Sequence, residues 1–208
     1  MHRRQLLTGL AATAAVFAAD AVSASPYKKH GGVRVLVEPP VYGGRSDYTV
    51  PERFKRQLVP YYTNERPGTI VIDPSQRFLY LTLENNSAIR YGVGVGREGF
   101  GWAGNAQVKR KQEWPTWTPP AEMIARQPEL AKYASGMPGG RDNPLGARAL
   151  YLYQGNRDTM YRIHGTNEPW TIGQAMSSGC IRMTNENIED LYLRVPLNTN
   201  VVVLGQAV

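Results

Sequence analysis

The sequence predicts a mainly β domain, a β-sandwich or partly open barrel with a few short helices. Three observations carry that expectation. Apolar residues make up 42% of the 208 and aromatics 10%, too much of both for a disordered chain. The 21 Gly and 15 Pro, together with 12 Tyr, punctuate the chain too often for a helical bundle. The remaining apolar residues gather in short runs separated by turn residues, the pattern of strands in a meander. A chain of this length buries about 70% of its extended surface, so it holds a core without staples. One Cys excludes an internal disulfide. Three His, one of them His2, leave too few soft ligands for a Cys/His zinc site. No metal is expected.

Taken in order, the first element lies outside the fold. Arg3 and Arg4 precede an apolar run from Leu6 to Ala19, and Val22-Ser23-Ala24 offers small residues for cleavage. Residues 1–24 therefore read as a secretory signal peptide cut after Ala24. The apolar run is shorter than the ~20 residues that span a bilayer. The Arg3-Arg4 pair partly matches a twin-arginine signal, which implies export of the folded protein. The expected location is the periplasm or cell envelope. Residues 25–65 carry Gly31-Gly32, Pro39-Pro40, Gly43-Gly44, Pro51 and Pro60, and read as an irregular arm that wraps or tethers the domain.

A single domain is expected over 66–205. Thr69–Asp73, Phe78–Leu83 and Ala88–Val95 read as three antiparallel strands joined by Asp73-Pro74-Ser75-Gln76 and Asn85-Asn86. Gly92-x-Gly94-x-Gly96 lacks dinucleotide-loop spacing and no helix pattern follows it, so no nucleotide cofactor is expected. The prolines of 113–120 exclude a central strand. Residues 121–134 favour helix, split at Pro128. Ala149–Tyr153 and Thr159–Ile163 read as strands. Thr184–Val195 is the one clear helix, capped by Thr184, with Ile188, Leu191, Tyr192 and Val195 on one face. Val201–Leu204 reads as the strand that closes the sheet.

The net charge is +7; Arg3, Arg4 and Asp20 contribute +1 of it, leaving +6 after cleavage. The basic residues are scattered, and export removes nucleic acid as a partner. Wall carboxylates and membrane phosphates are the polyanions an exported protein meets.

The chemistry gathers between residues 164 and 182. A lone thiol in an oxidising compartment asks for a reason, although Cys180 could simply be a small buried hydrophobe. Its neighbours favour reactivity. Ser177-Ser178-Gly179 makes a tight polar turn whose amides can lower a thiol pKa and hold an oxyanion. Arg182 projects to the same side of an extended segment, where it favours the thiolate and can grip a carboxylate. A thiol nucleophile also needs a proton carrier. Of the two histidines beyond the leader, His30 lies in the arm, which leaves His164 at the end of a strand.

Tyr161-Arg162-Ile163-His164-Gly165-Thr166, Ile172-Gly173 and Ser177-Ser178-Gly179-Cys180-Ile181-Arg182-Met183 resemble the signature of the L,D-transpeptidase catalytic domain family (YkuD type). The resemblance extends over residues 66–205 and takes in Asn143-Pro144-Leu145-Gly146 and Trp117-Thr118-Pro119-Pro120. Many members have histidine where this chain has Ser178. The resemblance implies that Cys180 attacks the L-centre carbonyl of a diamino acid in a peptidoglycan stem, expels D-alanine and leaves a thioester. A second stem amine then takes the acyl group as a 3→3 cross-link. It further implies that His164 exchanges protons, with its ring oriented by the Gly165 carbonyl. Amides around Gly179 and Cys180 would hold the oxyanion, Arg182 would hold a stem carboxylate, and Ser178 would touch substrate. No cofactor is needed, and carbapenem-type β-lactams would acylate Cys180. The acceptor stays open between a stem amine, water (an L,D-carboxypeptidase or endopeptidase) and a wall-linked lipoprotein lysine. A non-catalytic wall-binding module also stays open.

Overall fold

The computed structural model describes residues 48–97 and 102–205, and the backbone of a separate hairpin of β1 (Tyr27–His30) and β2 (Val33–Leu36). The leader reading and most of the arm reading lie outside the described residues. Among the described residues no helix is long and apolar enough to cross a membrane.

The chain is mainly β, as its composition predicts. Among the described residues, nine strands form one mixed sheet in the order β12-β10-β9-β8-β13-β4-β5-β6-β3. These are β3 (Gln57–Pro60), β4 (Ile70–Asp73), β5 (Phe78–Leu83), β6 (Ser87–Gly92), β8 (Gly104–Glu113), β9 (Arg148–Gln154), β10 (Arg157–His164), β12 (Ile181–Arg182) and β13 (Asn200–Val203). A smaller pair, β7 (Val95–Gly96) with β11 (Ala175–Ser177), runs parallel. Two pairs in the main sheet are parallel, β10 with β12 and β13 with β4. The rest are antiparallel, including the meander β4-β5-β6.

The sheet curls without closing. Gly94, two residues beyond β6, exchanges two hydrogen bonds of 2.8 and 2.9 Å with Arg182 of β12. A Cβ on Gly94 would stand 2.7 Å from the Thr171 carbonyl oxygen, so the close approach needs a glycine. Alternation along the strands sorts the side chains between two faces. Ile70, Ile72, Leu79, Leu81 and Tyr91 join the main core, whereas Val71, Tyr80 and Ala88 join a smaller cluster on the other face. Each large aliphatic buried in this way contributes about 1.5–3 kcal/mol.

Helix α2 (Asn185–Arg194) supplies Ile188 and Leu191 to the main core. Its start is capped, because Thr184 Oγ1 accepts from the Asn187 N–H at 3.2 Å. The Tyr91 hydroxyl donates to Asp190 at 2.7 Å and ties α2 to β6. Between β8 and β9 the chain forms α1 (Ala121–Arg126) and a 3-10 turn from Pro128 to Tyr133. The break falls at Pro128, as its missing N–H dictates.

Two features differ from the sequence expectation. Strand β13, expected to close the sheet, lies in its middle, parallel to β4 and antiparallel to β8. Strand β8, ten residues long, carries Lys109-Arg110-Lys111 and so lacks an apolar run. In addition, the last part of the 25–65 segment is ordered against the sheet. Strand β3 pairs with β6 along an edge, where Pro60 is tolerated. Phe54 is buried and its ring lies 5.5 Å from that of Phe78.

Candidate active site

A groove of about 580 Å³ opens where β10 and β12 end side by side. His164, Cys180, Ser178, Arg182 and Glu168 line it. Its apolar wall includes Trp117, Met123, Leu130, Tyr133 and Met137, all half-buried. Trp117 and Met137 exchange backbone hydrogen bonds of 2.7 and 2.9 Å, which closes this wall into a loop. The buried Asn143 holds it down, with Nδ2 within 3.0–3.1 Å of the Pro115, Met137 and Pro138 carbonyls.

His164 ends β10, clamped between β9 (His164 opposite Ala149) and β12 (His164 opposite Arg182). It is 5% exposed. Its Nδ1 lies 2.6 Å from the Gly165 carbonyl oxygen. A carbonyl only accepts, so Nδ1 carries the proton and Nε2 keeps a free lone pair. Burial pushes the His164 pKa down to about 4, with the Arg182 and Arg162 charges in the same direction and the Gly165 bond opposing. The ring is thus a neutral imidazole at neutral pH, with its basic nitrogen fixed as Nε2.

Cys180 precedes Ile181, whose β-partner is Ile163, the neighbour of His164. Part of its surface faces the groove, and the Met160 carbonyl lies 3.9 Å from Sγ. Met160 reaches that place through a bulge in β10, where it adopts φ 64°. The bulge is braced by a bidentate Arg162–Asp158 pair of 2.7 and 2.9 Å. Protein atoms surround the sulfur, and that burial pushes the thiol up despite the Arg162 N–H and the charges of Arg162 and Arg182. Here the sequence expectation of a lowered thiol pKa is corrected. Desolvation outweighs both guanidinium groups, so thiol and imidazole both rest uncharged in one groove, with the sulfur's hydrogen bond directed at the Met160 carbonyl.

The turn before Cys180 is tight, with Gly179 at φ 119°, a conformation that a Cβ would strain. Ser177 Oγ donates to the Cys180 carbonyl at 2.6 Å and accepts from the Gly179 N–H at 3.1 Å. The Gly179 amide can therefore reach an oxyanion only by giving up that bond. Ser178 is exposed at the rim. Arg182 Nη1 donates to Glu168 at 2.9 Å, and this carboxylate is 43% exposed. Sequence reasoning missed Glu168, the Asp158–Arg162 brace and Asn185, a buried residue at the start of α2. Only spatial pairing gives them a part in the site. Among the described residues no group of three or more His, Cys, Asp or Glu could hold a metal.

Comparison with known proteins places this geometry. A model of the L,D-transpeptidase catalytic domain family matches residues 67–203. The "Probable L,D-transpeptidase ErfK/SrfK" of Escherichia coli K12 is 34% identical over 169 residues, covering 78% of this chain and 50% of that one. The chain thus spans about half the length of the curated relatives it matches. A crystal structure described as a probable carnitine operon oxidoreductase, caia, from Brucella melitensis is 52% identical. It covers 76% of this chain and 99% of that one, with a TM-score of 0.52. The Ldtfm-avibactam carbamoyl enzyme shares the fold at 17% identity and a TM-score of 0.51, over 69% of this chain and 51% of that one. In this chain Gly92 and Gly96 belong to strands and Gly94 to the bridge with Arg182, so the glycine run serves sheet pairing.

Proposed function

The chain belongs to the L,D-transpeptidase catalytic domain family, and from that premise we propose that it is an exported cysteine acyltransferase acting on peptidoglycan stem peptides. Residues 66–205 form the catalytic domain, and residues 1–24 direct it to the periplasm or cell envelope. The observation that carries the reading is His164, its Nδ1 held on the Gly165 carbonyl, in the same groove as the chain's one thiol.

Cys180 Sγ attacks the carbonyl of the diamino acid while His164 Nε2 takes the thiol proton. The carbonyl electrons move to an oxyanion held by the Cys180 amide, with Gly179 shaping the turn. Collapse breaks the C–N bond, and the imidazolium returns its proton to the departing D-alanine amine. A thioester remains. An acceptor amine then attacks it, His164 takes the amine proton, and the sulfur leaves to be reprotonated. Arg182 keeps guanidinium donors beyond the one on Glu168 and holds a stem carboxylate. Ser178 contributes at the rim, where its small side chain leaves room for the stem.

Thioesters prefer amines to water, which favours 3→3 cross-linking over hydrolysis. Incubation with a stem tetrapeptide is expected to give cross-linked dimers and free D-alanine. Shortened peptides alone would make the enzyme an L,D-carboxypeptidase, and transfer to a lipoprotein lysine would make it a wall-anchoring enzyme. Full turnover by Cys180→Ala would reject the Cys180 mechanism, and wall binding by a wild type that never turns over would leave only the wall-binding module. Carbapenem-type β-lactams are expected to add their mass to the Cys180 peptide alone; no adduct at excess drug would count against the acylation chemistry.

A further inference from the structure

Beneath His164 lies a backbone arrangement that the reaction itself does not explain. The Gly165 carbonyl that fixes the His164 tautomer has no Cβ beside it, and neither does Gly146 on the turn opposite. A Cβ on either glycine would run into Asn185 Oδ1, and a Cβ on Gly146 would also stand 2.5 Å from the Thr166 N. Gly146 has φ 62°. The two turns therefore touch backbone to backbone, and one carboxamide is wedged between them. Asn185 is 4% exposed. Its Oδ1 accepts from the Ala147 N–H at 2.9 Å, and its Nδ2 donates to the Thr166 carbonyl at 3.0 Å. One amide thus bridges the residue after Gly146 to the residue after Gly165.

The bridge is anchored on both sides. Asn185 is the first residue of α2, next to the capping Thr184. The Gly165 N–H donates to the Arg148 carbonyl at 3.0 Å, and the Met183 N–H donates to the His164 carbonyl at 2.8 Å. Both bonds hold the His164–Gly165 peptide, one through its N–H and one through its carbonyl. Among the described residues, the Asn185 bridge alone ties the chain that follows, through the Thr166 carbonyl, to helix α2.

We propose that Asn185 is a positioning residue for the acylation reaction. It holds the 165–166 turn so that the Gly165 carbonyl stays in the path of His164 Nδ1–H, and so keeps Nε2 free to take the thiol proton. The inference rests on the proposed roles of His164 and Cys180. Without the bridge the turn can rotate, the Nδ1–H bond is lost, and the ring can place its proton on Nε2, where it cannot act as a base. A misplacement of this kind can cost about 100-fold in rate.

Three measurements on the full chain separate this from a merely structural part for Asn185. Nitrogen-15 NMR of labelled histidine reads the His164 tautomer. Alkylation of Cys180 by iodoacetamide, in which sulfur displaces iodide and His164 takes the proton, reads base assistance without any wall substrate. Thermal unfolding reads stability. Wild type is expected to hold the proton on Nδ1. Asn185→Ala is expected to show the Nε2–H form and alkylate at least tenfold more slowly at neutral pH. Asn185→Asp, which keeps the acceptor for Ala147 and loses the donor to Thr166, should fall between them. Thr184→Ala removes the cap of the same helix and should lower the unfolding midpoint while leaving tautomer and alkylation unchanged. An unchanged tautomer in Asn185→Ala would overturn the proposal, as would a Thr184→Ala variant that shifts it equally. If Asn185→Ala does not fold, the same readings on Asn185→Asp decide. A wild type that alkylates with His164 assistance yet never reacts with a stem peptide would sink the proposed function and leave this inference standing.

Discussion

Cys180 and His164 line one groove as uncharged groups, and burial sets both. The sulfur is enclosed enough for desolvation to outweigh two nearby guanidinium charges, while the imidazole is pushed down to about 4. The linkage has a definite sign. Unfolded His164 titrates near its ordinary 6.5, so between about pH 6.5 and pH 4 the unfolded chain binds the proton and the folded chain does not. Stability is therefore lost as pH falls through that window. Relative to His164→Gln, the wild type should lose about 3 kcal/mol between pH 7 and pH 4. Denaturant unfolding across that range checks this, and parallel curves for the two proteins would contradict it. The residues of the pair were legible because the sequence offers one thiol and one domain histidine, each beside a glycine turn. Their protonation was not, because it depends on which atoms surround the sulfur. The pairing of Arg182 with Glu168 was hidden for the same reason, since fourteen positions separate them.

At the scale of elements, the sequence reported what short-range physics controls. Helix α2 begins where Thr184 can cap it, and the break at Pro128 follows from a missing donor. The meander β4-β5-β6 follows from alternation and turn residues. Strand β8 escaped because Lys109, Arg110 and Lys111 run through it across a register shift, with Lys111 turned to the Tyr192 and Val195 carbonyls at the end of α2. The apolar half of its alternation rests on few residues such as Ala106 and Val108. Strand β3 escaped because Pro60 and the glycines upstream read as irregular chain. The turn before β3 has a further consequence. The Phe54 side chain packs directly against Gly173, near the start of the segment that leads to Cys180, and a Cβ on Gly92 would stand 2.5 Å from Phe54 Cβ. Phe54→Ala should therefore cost about 3–5 kcal/mol of stability. Thermal or urea unfolding measures it, and a loss below about 1 kcal/mol would mean that the 48–60 segment is not part of the folded unit.

At the scale of the molecule, the sheet's order explains the site. Its curl brings β12 against the chain leaving β6, and its parallel pairing with β10 sets the Cys180 turn beside His164. The fold class was readable from composition and run length, but the central place of β13 was not, because a parallel partner far along the chain leaves no local trace. The apolar wall from Trp117 to Met137 then gives the open edge of the sheet a groove rather than a flat face. The most direct trial of the whole account is the intact mass of the protein during incubation with a stem tetrapeptide. The expected spectrum gains one stem less its D-alanine, on the Cys180 peptide, and Cys180→Ala gains nothing. Product formation with the wild-type sulfur never modified, or the same adduct on Cys180→Ala, would contradict it.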